Sequence, residues 1–162
     1  DLYSTIGTVI SACDSVNYLL EDEEVVGTFR LINNYLYPGG IFIFDFNTVY
    51  KYEEVIGDTT IAENREDCSF IWENYYDEED RINEYVLTLF IQDDEDADLY
   101  RKYQEQHFQR GYTLEEIKSL IERAGLVFET AYDAYTKNPV HEKSERITVI
   151  AREKGKVYSD ML

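Results

Sequence analysis

The sequence predicts an α/β fold, half of a doubly wound parallel sheet interrupted by an inserted antiparallel β-meander. Three observations carry that expectation. Pro38-Gly39-Gly40 runs straight into Ile41-Phe42-Ile43-Phe44-Asp45-Phe46-Asn47, which is too apolar for a strand with one wet face and suits a strand covered on both. Over residues 59–110 the pattern changes to strand-like alternation. From residue 113 it returns to helical spacing, opened by a capping box.

Residues 7–12 are a short apolar run that fits a buried strand, and the polar turn Cys13-Asp14-Ser15-Val16-Asn17 follows. Glu21, Asp22, Glu23 and Glu24 stand where the positive end of the next helix favours carboxylates. Val25, Phe29, Ile32 and Leu36 recur at helical spacing and form one apolar stripe, which Pro38 and the paired glycines are expected to terminate. The crossover between the two strands should be right-handed. The polar residues of the second strand, Asp45 and Asn47, lie at its carboxyl end, where open α/β sheets place ligands. A short helix is expected up to about residue 56.

In the insert, residues 70–76 and 85–91 are strand-like, with Tyr85, Leu87, Leu89 and Ile91 sharing a face. Asp77-Glu78-Glu79-Asp80 turns between them, and a second acidic turn at 93–98 leads to a third strand at 99–109. Such acidic runs read as solvated turns rather than metal sites. Thr113 and Glu116 form the capping box of a helix whose buried stripe is Leu114, Ile117, Leu120 and Ile121, and Gly125 stands at its C-cap. Residues 126–132 and 146–151 are the last two strands, joined across a loop holding Pro139. The expected organisation is 1–58 as α/β core, 59–110 as antiparallel insert, 111–153 as continued core and 154–162 as a frayed tail.

Composition bounds the setting. A chain of 162 residues, 44% hydrophobic, is one domain with a real core. It holds no apolar span long enough for a transmembrane helix or signal peptide, so no membrane partner is expected. Two cysteines do not make a disulfide framework, which suits the cytoplasm. A formal net charge of -19 argues against nucleic acid as a partner, because phosphate contacts need a basic face. With two histidines and no H-E-x-x-H or C-x-x-C spacing, no metal site is expected.

The run Cys13-Asp14-Ser15-Val16-Asn17-Tyr18-Leu19, followed by Tyr37-Pro38-Gly39-Gly40-Ile41-Phe42-Ile43-Phe44-Asp45-Phe46-Asn47, resembles class I S-adenosylmethionine-dependent methyltransferases, above all small bacterial ones with a β-rich insert. Gln109-Arg110-Gly111-Tyr112-Thr113-Leu114-Glu115-Glu116-Ile117 and Ala124-Gly125-Leu126 are similar to their late helix and following strand. The resemblance covers nearly the whole chain. It implies the C-terminal part of a Rossmann-like doubly wound sheet, S-adenosylmethionine as cofactor, and methyl transfer to a small-molecule acceptor. It also exposes a departure: the chain contains no G-x-G, and begins where the fourth strand of such enzymes would begin. The expected chain is therefore a fragment that lacks the glycine-rich cofactor loop, binds cofactor weakly, is itself inactive, and self-associates through an unpaired sheet edge. A non-catalytic interaction or dimerisation module, and another doubly wound nucleotide-binding enzyme, stay open as alternatives.

By this resemblance Cys13, Asp14, Ser15 and Asn17 face the sulfonium and methyl end of the cofactor; the alternative is an Asp or Ser that caps the next helix. Asp45 and Asn47 border the acceptor pocket, or else end the strand in a simple turn with Asn47 holding the backbone. His107, in an alternating segment, is a candidate base of a side-chain type that titrates near neutral pH. Arg110, the second catalytic candidate, and Tyr112 stand at the junction of insert and core, where an anionic substrate group can be held, although Arg110 equally can pair with an acid. Trp72, Tyr75, Tyr76, Tyr50 and Tyr52 form an aromatic wall, of which Tyr50 and Trp72 are the acceptor-binding candidates and the rest small-sheet core. Methyl transfer needs alignment and exclusion of water more than it needs a triad.

Overall fold

The computed structural model describes residues 5–93, 96 and 98–155, so part of the acidic turn at 93–98 and most of the tail at 154–162 lie outside the described residues. The elements are β1 (Ile6–Ser11), a 3-10 turn (Ser15–Tyr18), α1 (Asp22–Tyr35), β2 (Leu36–Asn47), a π-helical turn (Lys51–Ile56), β3 (Thr60–Asn64), β4 (Cys68–Asp77), β5 (Ile82–Gln92), β6 (Tyr100–Arg110), α2 (Leu114–Arg123), β7 (Leu126–Asp133) and β8 (Arg146–Glu153). They form two four-stranded sheets, ordered β1-β2-β8-β7 and β3-β4-β5-β6. In the first, β1 and β2 are parallel while β8 runs antiparallel between β2 and β7. The second is an antiparallel meander. The architecture is α/β with an inserted meander, as the sequence pattern implies.

The core forms on one face of the first sheet. Phe42, Phe44 and Phe46 of β2 are at most 1% exposed, and the Phe29 ring of α1 packs 5.2 Å from Phe42 and 5.0 Å from Phe44. Val25 and Val26 of α1, Ile117, Leu120 and Ile121 of α2, and Ile147, Val149 and Ala151 of β8 complete it. Each such side chain contributes roughly 1.5–3 kcal/mol through removal from water. The helices are also tied to each other, because Arg123 at the end of α2 pairs with Asp22 (3.2 Å) and with Glu23 in the first turn of α1. Among the described residues no helix is long and apolar enough to cross a membrane.

Three features differ from the sequence expectation. The first helix ends at Tyr35, before Pro38, and the chain is already strand from Leu36. Pro38-Gly39-Gly40 is instead a kink inside β2. There the register with β1 shifts between Ile6 and Thr8, Gly39 has φ +76°, and a Cβ on Gly40 would stand 3.0 Å from the carbonyl oxygens of Gly7 and Tyr37. Arg152 donates to the Gly39 carbonyl (2.6 Å) and Glu153 accepts the Gly39 N–H (2.9 Å), so β8 holds the kink. Second, β2 is fully covered on one face only. Both described helices pack on the phenylalanine face, while Ile41 and Ile43 are half-buried and neighbouring Ile10 is 69% exposed. Third, β3 was not expected as a strand, and all five of its residues are exposed, so no alternation announces it.

The insert is seated by its two ends. Thr48 and Tyr112 form a parallel bridge, with the Val49 N–H donating to the Tyr112 carbonyl at 3.2 Å. Glycine at 111 eases this approach, because a Cβ there would stand 3.0 Å from the Val49 Cα and push the two segments apart. The α2 capping box forms as expected. The Glu116 N–H donates to the Thr113 hydroxyl at 3.2 Å, and the Thr113 N–H to the Glu116 carboxylate at 2.8 Å. Thr113→Ala should therefore cost about 1 kcal/mol in urea denaturation; an unchanged midpoint would mean that the cap does not hold α2.

Candidate active site

The carboxyl ends of β1 and β2 meet at a turn with an unusual backbone. Cys13 (φ 60°) and Asp14 (φ 53°) are consecutive left-handed residues, a conformation that costs non-glycine residues roughly 1–2 kcal/mol each. Asp45 on β2 holds them. Its Oδ2 accepts the Cys13 N–H (3.0 Å) and its Oδ1 the Asp14 N–H (2.7 Å). The Tyr135 hydroxyl donates to the same carboxylate (2.6 Å), and Arg146 spans Asp45 (2.8 Å) and Asp14 (2.9 Å). Burial alone would raise the Asp45 pKa, but the Tyr135 hydroxyl, the two backbone donors and Arg146 outweigh it and bring the carboxyl below its ordinary value.

From Asp14 the network continues into the insert. Gln109 donates to Asp14 Oδ2 (2.7 Å) and accepts from the Tyr52 hydroxyl (2.9 Å); Tyr52 in turn accepts from Asn47 (3.0 Å), whose Oδ1 accepts from Lys51 Nζ (3.1 Å). Asn17, fully buried, donates to the backbone carbonyls of Asn47 (2.9 Å) and Arg110 (2.8 Å) and accepts the Asn47 N–H (2.8 Å). Burial pushes the Tyr52 hydroxyl well above the usual tyrosine range and lowers Lys51. The Tyr52 ring also stacks on Tyr76 of β4, with centroids 6.5 Å apart.

Two residues from Gln109 on the same face of β6 stands His107. Its ring stacks on Tyr85 at 4.6 Å, its Nδ1 lies 3.1 Å from the Tyr18 hydroxyl and its Nε2 lies 3.2 Å from Glu105. The Tyr18 and Tyr85 hydroxyls are 2.8 Å apart. Beyond them on the same face Phe70, Trp72, Tyr85, Leu87 and Leu89 line an apolar groove of about 370 Å³. A larger hollow of about 540 Å³, lined by Ala62, Asn64, Ile71, Phe90 and Tyr100 among others, shares no residue with the polar network.

The structure brings Cys13, Asp14, Asp45, Asn47 and Asn17 together at the strand tips. Ser15 sits in the same turn, its hydroxyl donating to the Ala12 carbonyl at 2.8 Å. The alternative role of Asp14 as a helix cap does not hold: its side chain makes no cap bond and goes to Arg146 and Gln109. Asp45 and Asn47 are 2% and 3% exposed, and bond within the protein. Arg110 is bound to the Leu20 carbonyl (3.1 Å) and Asp22 (2.9 Å), and its guanidinium covers the Tyr112 ring at 4.7 Å. It thereby closes the insert onto α1. Tyr112 is a core residue, fully buried, donating to the Leu19 carbonyl, its hydroxyl pushed up to about 12 by burial. Tyr50 is half-buried, and Trp72 lines the groove. Sequence reasoning missed Arg146, Tyr135, Gln109, Tyr18 and Tyr85 as site residues. Arg146 had one signal, as the first residue of a strand that pairs with Asn47 across β2 and β8.

Because its folded-state pKa is depressed, Asp45 stabilises the protein fully above its unfolded value near pH 4 and loses that contribution as pH falls through the folded value. Asp45→Asn should lose roughly 2–3 kcal/mol at pH 7 in urea denaturation. It should also show a shallower fall of stability below about pH 4 than the parent chain. Equal slopes would remove the carboxylate from its central place.

No protein-family model matches the chain. It is 33% identical over 93% of its length to a protein of Geobacillus sp. (strain WCH70), and 28% identical over 93% to YqeM of Bacillus subtilis (strain 168); both carry the name "Putative methyltransferase". The chain spans about 60% of the length of these curated relatives. The crystal structure of an S-adenosylmethionine-dependent methyltransferase from Clostridium acetobutylicum ATCC 824 superposes with a TM-score of 0.87 at 26% identity, over 96% of this chain and 61% of that one. The chain has the Rossmann-like α/β fold of S-adenosylmethionine-dependent methyltransferases.

Proposed function

We propose that the protein carrying this chain is an S-adenosylmethionine-dependent methyltransferase acting on a small-molecule acceptor. The observation that carries this reading is the path along one face: the Cys13-Asp14 turn, Gln109, His107 with Tyr18 and Tyr85, then the apolar groove. When bound, the cofactor supplies a methyl group already activated on a sulfonium. The Cys13 and Asp14 N–H groups point inward to Asp45, so this part of the turn presents no backbone donor outward, a polarity that suits a cation. Cys13, Asp14 and Ser15 would thus meet the sulfonium end, while Asn17 and Asn47 position the turn against the insert.

The groove residues would orient the acceptor and exclude water, and His107, poised between Tyr18 and Glu105, would take its proton. Arg110 acts here as a positioning residue, through its bonds to α1. A cytoplasmic setting belongs to the same reading, supported by two unpaired cysteines. Incubation of the complete protein with S-adenosylmethionine and a bacterial small-molecule extract should release S-adenosylhomocysteine, with His107→Gln slowing release about a hundredfold. A protein that binds the cofactor yet releases none with any extract would defeat the reading.

We further infer that this chain associates with itself through β1. That strand is an edge of its sheet, and Ile10 on it is 69% exposed. Sedimentation should show dimers or larger species that Ile10→Lys reduces to monomers; monomers of the unaltered chain at all concentrations would rule it out.

A further inference from the structure

We propose that the groove on the inner face of the insert receives a compact cationic amine with a flat apolar body, the ammonium lying at His107 and Glu105. This rests on the methyltransferase reading and names the acceptor class. The volume, about 370 Å³, is that of a small-molecule site. It is lined by Phe70, Trp72, Tyr85, Leu87 and Leu89, with the Trp72 and Tyr85 rings edge to face at 5.7 Å. From the Tyr85–His107 pair to the Leu89–Tyr103 pair is four residues of strand, roughly 13 Å, enough for one ring and a short tether.

The charges choose the sign of the ligand. Directly beside Leu87 on this face stands Glu105, its side chain 62% exposed and, among the described residues, bonded to His107 alone, and the aromatic rings prefer a cation over their faces. The two arginines toward the outer end, Arg65 and Arg101, are each held by an acid, Glu63 and Asp93, at 2.6 Å. A carboxylate ligand would meet Glu105 and a chain of net charge -19.

The chemistry balances. The bound ammonium gives a proton to His107; the freed nitrogen lone pair forms the N–C bond to the methyl group as the S–C bond breaks. The electron pair of that bond stays on the sulfur of the S-adenosylmethionine donor, leaving a neutral thioether and a methylated ammonium.

Trp72 is the sole tryptophan of the chain, so its fluorescence, excited at a wavelength the probes do not absorb, reports the groove directly. The chain is titrated, without cofactor, with three probes of one shape: 2-phenylethylammonium, 2-phenylethanol and 3-phenylpropionate. The ammonium should bind about tenfold more tightly than the alcohol, with the carboxylate weakest. Glu105→Gln should weaken the ammonium alone, by about threefold to fivefold, as befits an exposed charge. Equal or tighter binding of the alcohol or carboxylate, an ammonium affinity indifferent to Glu105→Gln, or no response to any probe would overturn the proposal. The titration needs no methyl transfer, so a groove that prefers the ammonium in a protein that methylates nothing would sustain this inference while removing the enzymatic one.

Discussion

The whole arrangement depends on one carboxylate. Asp45 accepts two backbone N–H groups from a turn that would otherwise relax out of the left-handed region, and its neighbour Arg146 prevents two acids from standing unneutralised at the strand tips. Glycine would adopt the turn without strain, but it would carry no side chain onward. With Asp14 in that place, the same turn reaches Gln109 and hence the insert. The strain of a pair of unfavourable φ angles is offset by charge-assisted hydrogen bonds, each roughly twice as strong as a neutral one. Three strands of the first sheet and the last strand of the second are thereby registered to one another around a 2%-exposed group.

The chain's sparse positive charge is used in the same spirit. It has 15 lysines and arginines against 34 acids, and five of its eight arginines sit at joints between elements. Arg81 and Arg110 tie the insert to α2 and α1, Arg123 ties α2 to α1, Arg146 ties β8 to the turn, and Arg152 ties β8 to β7 and to the kink in β2. Much of the excess acid is solvent-exposed, as at Glu21, Glu23, Glu63, Glu78 and Glu105, where solvent screens it.

What was legible in the sequence was what local rules determine. The Thr113–Glu116 cap spans three residues, the α1 stripe spans three turns, and the β2 run announces its buried phenylalanine face, though not the half-open face of Ile41 and Ile43. Pro38-Gly39-Gly40 misled because its local meaning, a stop, was overruled by pairing: β1 and β8 hold the segment extended through the kink. β3 was invisible because none of its residues is buried. The site residues were half legible. Cys13, Asp14, Asp45 and His107 stand near turns and strand tips and could be named as candidates, whereas the bonds that tie Asp14 to Asp45, Gln109 and Arg146 join residues 31, 95 and 132 positions apart in the chain. Separations of that size leave no trace in spacing or periodicity.

The Thr48–Tyr112 bridge places the two ends of the insert side by side on the core, with Gly111 admitting the close contact. Some sixty intervening residues thus leave and re-enter the core at one place, and Arg81, Arg110 and Gln109 fasten them there. None of the phenylalanine-core residues lies in that segment, whereas Gln109, which bonds to Asp14, does. Local edits to that sheet would alter the groove side chains Phe70, Trp72, Leu87 and Leu89 and leave the packing of α1 and α2 on β2 as it is.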